Sequence, residues 1–228
     1  MPEVVAIRGR LIETYDPFFR FAPNYRRIAV LWDGSVGGIQ ITYGKIGRIC
    51  RGVKVMTVLE RLLRHDAWTT RSLLLLCREL TDAELDREFD IGHRSLRRTF
   101  RHMVANMECW CDLMTGKPQR LKQPGGELPR NVAGMVQRLD LVGEELLLLG
   151  TSVVAEGRED DFFVDYLDEP PTQKPLGAGL VHVATHGMHH RAQCLYLMRL
   201  LGVKGLIEGD AIRWEQAYLG LQSWPIAR

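Results

Sequence analysis

The 228-residue sequence has no apolar run longer than the five residues Leu73–Cys77, far short of the roughly 20 that a membrane-spanning helix needs. It shows no leader with the basic, apolar and small-residue segments of a secretory signal. Cysteine is scarce. The five present are odd in number and irregular in spacing, which excludes a disulfide framework, and Cys109 and Cys111, two apart on a predicted helix, point different ways. An excess of charge is missing too, since 30 Lys+Arg stand against 28 Asp+Glu. No helix predicted in the main part carries a basic row, so nucleic-acid binding has little support. What remains, at 46% hydrophobic and 25% charged residues, is the composition of a globular protein with reduced thiols, expected in the cytoplasm and away from membranes.

The slight basic excess belongs to one end. Residues 1–56 hold 9 Lys+Arg against 4 Asp+Glu, and residues 57–228 hold 21 against 24. Seven glycines and three prolines break up residues 1–56, where only Arg27–Leu31 and Ile39–Tyr43 read as strands. Residues 1–55 are therefore expected to be an irregular basic extension packed on the main domain, or else a stretch ahead of a natural translation start near Met56. No function is drawn from them. Residues 56–228 form the domain proper.

Periodicity begins abruptly at Met56. Leu59, Leu62, Leu63, Asp66, Thr70, Leu73, Cys77 and Leu80 share one stripe and predict a first helix over about 57–80. Asp66 interrupts that apolar stripe, either because it sits in water at an open end or because it faces a polar site. Thr81–His93 reads as a polar connection. Leu96, Phe100, Met103, Met107, Trp110 and Met114 then predict a second helix from about Arg94, closed by Gly116 and Pro118. A third is expected from about Pro129 to Glu156, burying Val132, Met135, Val136, Leu139, Val142, Leu146, Leu149 and Val153. The segment 157–175 is too short for another long helix and suggests an extended lid with Phe162, Phe163 and Tyr166 as apolar contacts. A fourth helix spans Leu176–Leu201, stopped by Gly202, and a short one from about Asp210 packs Ile212, Trp214 and Leu219 back on the rest. The fold class expected is all-α: a four-helix up-down bundle with a short C-terminal helix.

The fourth helix carries four histidines in the nine residues His182–His190. His182, His186 and His190 are four apart and stack on one face, drifting by only about 40° per step. His189 can share that face with His186, so spacing alone does not choose the pair that would grip a metal ion. On the second helix His102 lies in a band with Thr99, Asn106 and Cys109 beside the core stripe, where an imidazole can reach inward. Metal sites in bundles are built from such inward side chains on facing helices. Imidazole suits zinc, nickel, iron or copper without choosing among them.

The stretch LVHVATHGMHHRAQ, the upstream FRHMVANMECWCDLMTG and the closing EGDAIRWEQ together resemble the DinB family of metal-binding four-helix bundles, which is unrelated to the DNA polymerase of that name. The likeness covers about residues 56–220 and rests on a His-x-x-x-His pair running into His-Arg-x-Gln, with a single histidine upstream. It implies the three-histidine set His102, His186 and His190 as ligands of a divalent metal ion. Where the family usually has Gly, this chain has Ala192. His189 is then left exposed or at a helix contact, and His182 lines the cavity or caps its floor. Arg191 and Gln193 are expected to orient the ligands by hydrogen bonds, with a structural ion pair as the alternative for Arg191.

Relatives implied by the resemblance carry out metal-dependent transfers or isomerisations that use a small thiol, such as mycothiol or bacillithiol, and some look like hydrolases. The expectation is a transferase in which zinc, nickel or iron directs glutathione, bacillithiol or mycothiol at a small electrophilic substrate. Asp66, His182 and Tyr166 are candidates for orienting that substrate. The alternatives are a metal-dependent hydrolase and a non-catalytic metal-binding protein of the stress response. Against hydrolysis, position 187 is glycine, where a His-Glu-x-x-His motif would supply a general base. The partner is a small molecule, and a homodimer stays open.

Overall fold

The computed structural model describes residues 29–31, 40–42, 56–207 and 209–221. The chain divides into two compact units, Met1–Val55 and Met56–Arg228. In the first, β1 (Ala29–Leu31) and β2 (Gln40–Thr42) pair antiparallel, with Ala29 opposite Thr42. Both fall inside the two runs expected to be strands. The rest of the expected irregular extension lies outside the described residues.

The second unit is mostly helical, and most of its α-helices begin where a side chain accepts from a free N–H group of the first turn. α1 (Val58–Leu76) starts with a capping box: the Glu60 N–H donates to Thr57 Oγ1 at 3.1 Å, and the Thr57 N–H donates to Glu60 Oε2 at 3.0 Å. The same Thr-x-x-Glu device at Thr81 and Glu84 starts α2 (Asp82–Asp86), a short helix inside what the sequence suggested was only a connection. Ser95 caps α3 (Leu96–Met114). α4 (Val132–Glu156) begins later than expected, because Asn131 rather than Pro129 sets its start: Asn131 Oδ1 accepts from the Gly134 N–H at 2.7 Å. α5 spans Leu176–Leu200, and α6 (Ala211–Tyr218) is capped by Asp210.

Of the four long helices, α1 and α3 each pack on both α4 and α5. The core between them includes Leu63, Leu73, Phe100, Met103, Leu146 and Leu180. At Gly150 a Cβ would stand 2.7 Å from Leu63 Cδ1, so glycine there lets α4 press against α1. Arg138 grips the buried Glu108 with two bonds of 2.6 and 2.7 Å and fastens α4 to α3.

The segment expected as an extended lid is a hairpin: β3 (Phe162–Asp165) and β4 (Thr172–Pro175) pair antiparallel, with Phe163 opposite Lys174. Successive strand residues face opposite sides. Phe163 is therefore buried, whereas Phe162 and Tyr166 stand exposed and supply no apolar anchor. The all-α expectation is corrected to a mostly helical unit that includes this hairpin. In α6 only Trp214 of the three expected contacts is buried. Ile212, two residues away and so about 200° around the helix, is 73% exposed, and Leu219 lies past the last turn. No helix among the described residues is long and apolar enough to cross a membrane.

Candidate metal centre

α3 and α5 pack side by side and bring their histidines together. The Nε2 atoms of His102 and His186 are 3.0 Å apart, and those of His186 and His190 are 3.2 Å apart. The ring centroids of His102 and His190 are 4.7 Å apart. His190 is buried, and His102 and His186 are half-buried. Burial, with repulsion from His93 and His190, pushes the His102 imidazole down to about 4, and burial with repulsion chiefly from His190 and His102 does the same for His186. Burial also lowers His190, against the opposing effect of its bond to Gln193. At neutral pH these rings therefore present uncharged nitrogens, the form a metal ion requires.

Gln193, on α5 one turn beyond His190, fixes the tautomer. Its Oε1 accepts from His190 Nδ1 at 2.9 Å, so the proton sits on Nδ1 and the lone pair on Nε2. Its amide nitrogen donates to Nε2 of the exposed His189 at 3.0 Å. His190 Nε2 is then bare, and one proton can satisfy only one of the two Nε2 contacts that His186 makes. A cation satisfies both. Two nitrogens bound at 2.0–2.1 Å to a tetrahedral ion stand about 3.3 Å apart. The observed separations of 3.0 and 3.2 Å are close to that value.

The sequence reading missed His93. It precedes α3 in a polar loop with no periodic pattern, yet its ring centroid lies 3.8 Å from that of His102 and 5.1 Å from that of His190. One nitrogen each of His93, His102 and His190 lie within 4.8 Å of one another, a group able to hold a metal ion. The available signal was its place three residues ahead of the first residue of α3, whose histidine was already a candidate.

The other candidates are placed as follows. Asp66 is buried, which removes the reading in which it sits in water; its carboxylate accepts a hydrogen bond from Arg191 Nη1, which also donates to Thr70 Oγ1 at 3.2 Å. Arg191 thus takes the ion-pair alternative, and its hydrogen bonds go to α1 rather than to a histidine. Gly187 has a structural reason to be glycine, since a Cβ there would stand 2.3 Å from Asp66 Oδ1 and 2.8 Å from Arg191 Nη1. His182 is exposed, with its ring 5.6 Å from His186 and 4.8 Å from Trp110. Phe163 of β3 packs edge-on against Trp110 at 6.0 Å, and Lys174 Nζ lies over the indole at 5.3 Å. Tyr166 donates weakly to the Lys117 carbonyl at 3.4 Å, beyond the C-terminus of α3, which ends about 18 Å along the axis from His102. One turn after His102, Asn106 Oδ1 is buried with no partner among the described residues.

A mostly helical protein with histidines from two long helices and a loop gathered into a group able to hold a metal ion is the class these features define. Residues 54–209, which include α1 to α5 and every one of these histidines, match the DinB family, and the chain belongs to it. No curated protein matches the chain.

Proposed function

We propose that this protein is a metal-dependent transferase that uses a low-molecular-weight thiol on a small electrophilic substrate. The observation that carries this reading is the approach of the His102 and His190 Nε2 atoms to that of His186, at 3.0 and 3.2 Å, with the His102 and His186 rings uncharged at neutral pH. We take these three as the ligands of zinc, nickel or iron, with the four long helices forming the up-down bundle that holds them. A divalent cation there would supply a Lewis acid able to take the proton off a coordinated thiol near neutral pH, because three neutral ligands leave its charge uncompensated.

The chain's own residues support an external thiol as nucleophile. Burial pushes the Cys77 and Cys111 thiols up to about 12 and that of Cys194 well above its ordinary value, so none of them is an available thiolate. A thiolate also needs less proton management than water, and two positions that might have supplied a general base do not: glycine holds position 187 and Asp66 is tied to Arg191. Gln193 keeps Nε2 of His190 turned inward. His182 and Trp110, beside His186, offer the surface on which a small substrate would rest, and Asn106 Oδ1 is a buried acceptor in want of a donor. The partner is then a small molecule in the cytoplasm.

Metal-loaded protein is incubated with glutathione, bacillithiol or mycothiol and an electrophile such as monochlorobimane, and conjugate is followed against the His186→Ala variant. Metal-dependent conjugation with one thiol is expected. Turnover of esters or amides with no thiol requirement would move the assignment to a hydrolase, and no turnover of either panel to a non-catalytic metal-binding protein.

A further inference from the structure

His93 lies against the metal centre, but it is held differently from its three neighbours. His102 belongs to a helix of 19 residues, and His186 and His190 to one of 25, so each is fixed by a hydrogen-bonded turn on both sides. His93 belongs to the loop between α2 and α3, where it is flanked by Gly92 at φ 49° and by Arg94 at φ 71°. Arg94 is the one non-glycine residue with positive φ among the described residues, a conformation that persists only where the surroundings impose it. Those surroundings are visible. The Phe89 N–H donates to the Arg94 carbonyl at 2.7 Å, the Arg94 N–H donates to the Ile91 carbonyl at 2.8 Å, and the Arg94 guanidinium holds Glu88 at 2.8 Å. Gly92 runs so close to α5 that a Cβ would stand 2.3 Å from Gln193 Oε1, the oxygen that orients His190. The loop is therefore built against the centre, and its strain serves to lay His93 there.

We propose that His93 is a fourth and displaceable ligand of the same ion, so that the resting centre is closed by four imidazoles and an incoming small molecule must take the place of His93. This rests on the metal site assigned above. One nitrogen each of His93, His102 and His190 already lie within 4.8 Å of one another, so His93 is within reach of an ion held by His102 and His190. His93 can move away with its loop, whereas the other ligands are carried on the long helices α3 and α5. The displaced ring also has a resting place: it lies over the His102 ring at 3.8 Å with an interplanar angle of 32°. A four-histidine shell is closed, as in structural sites, and a three-histidine shell is open, as in catalytic ones. One loop residue therefore decides between the two.

The test is loading of the full chain with Co(II), whose visible spectrum reports the number and kind of ligands, in the wild type and in the His93→Ala, His93→Phe and His102→Ala variants. His93→Phe keeps a ring on His102 but has no nitrogen, which separates ligation from stacking. The wild type is expected to bind one Co(II) with a spectrum that added imidazole leaves unchanged. Both His93 variants should bind with at least the roughly 10-fold loss typical of disturbed metal surroundings, and show altered spectra; imidazole should return the His93→Ala spectrum to that of the wild type. Affinities and spectra equal to wild type in both His93 variants overturn the proposal while leaving the three-histidine site standing. If the wild type takes up no Co(II), the metal site itself falls and the proposal with it.

Discussion

Arg191 and Asp66 meet across α5 and α1 as a buried ion pair, in the space that the missing side chain of Gly187 leaves free. The motif His-Gly-Met-His-His-Arg therefore does two jobs on two faces of one helix, about 100° apart. His186 and His190 face α3, and Gly187 and Arg191, each one residue later, face α1. A buried guanidinium without its carboxylate is expensive, so the pair locks the rotation of α5 about its axis and with it the aim of the histidines.

Gly187→Ala places a methyl group where Asp66 Oδ1 and Arg191 Nη1 now lie. The pair has to shift, and the loss in unfolding free energy is expected to be about 1–3 kcal/mol, as for other overpacked sites. Urea denaturation measures it. An unchanged midpoint would mean that the pair moves aside freely and does not set the position of α5.

His102→Ala, His186→Ala and His190→Ala are each expected to abolish metal content in the purified protein, and His189→Ala to leave it intact, because His189 is exposed and its Nε2 already accepts from the Gln193 amide. Elemental analysis of the four variants decides the matter, and normal metal in His102→Ala would sink the ligand set. Chelation should also lower the melting temperature of the wild type. An ion present at a thousand times its Kd contributes about 4 kcal/mol.

The metal-free protein should lose stability as the pH falls below about 6.5, the ordinary value for histidine. In the folded state His102 and His186 are held down to about 4, so between those limits the unfolded chain binds protons that the folded chain refuses. Above about 6.5 both states are uncharged at these residues and their contribution is flat. The urea midpoint followed from pH 7 to pH 4.5 should therefore fall, and fall less steeply in a His102→Asn, His186→Asn double variant. Identical slopes would mean that these two imidazoles titrate alike in the folded and unfolded states.

A chain that begins at Met56 is expected to fold and to retain its metal, since the periodic pattern, the capping box of α1 and the family match all start within a few residues of that point. Circular dichroism and metal analysis of the truncated protein test this. An insoluble or metal-free product would show that residues 1–55 contribute to the domain.

The long helices were legible because each repeats apolar residues at a helical period, and that period survives in any tertiary setting. Most of the stripe Leu96, Phe100, Met103, Met107 and Met114, and of the stripe Met135, Val136, Leu139 and Val142, was read directly and is buried. The same period put His186 and His190 on one face. What the sequence could not rank was contact between segments distant along the chain. Asp66 looked like a polar break in an apolar stripe until Arg191, 125 residues later, came to meet it. Phe162 and Tyr166 looked like anchors until strand alternation turned them outward. His93 belongs to a loop without period, and its nearness to His102 and His190 depends on two positive φ angles and on a glycine fitted against Gln193. Periodicity is a local property and the chain displays it openly. The gathering of four imidazoles from a loop and two helices is decided by packing, and only the tertiary structure holds that information.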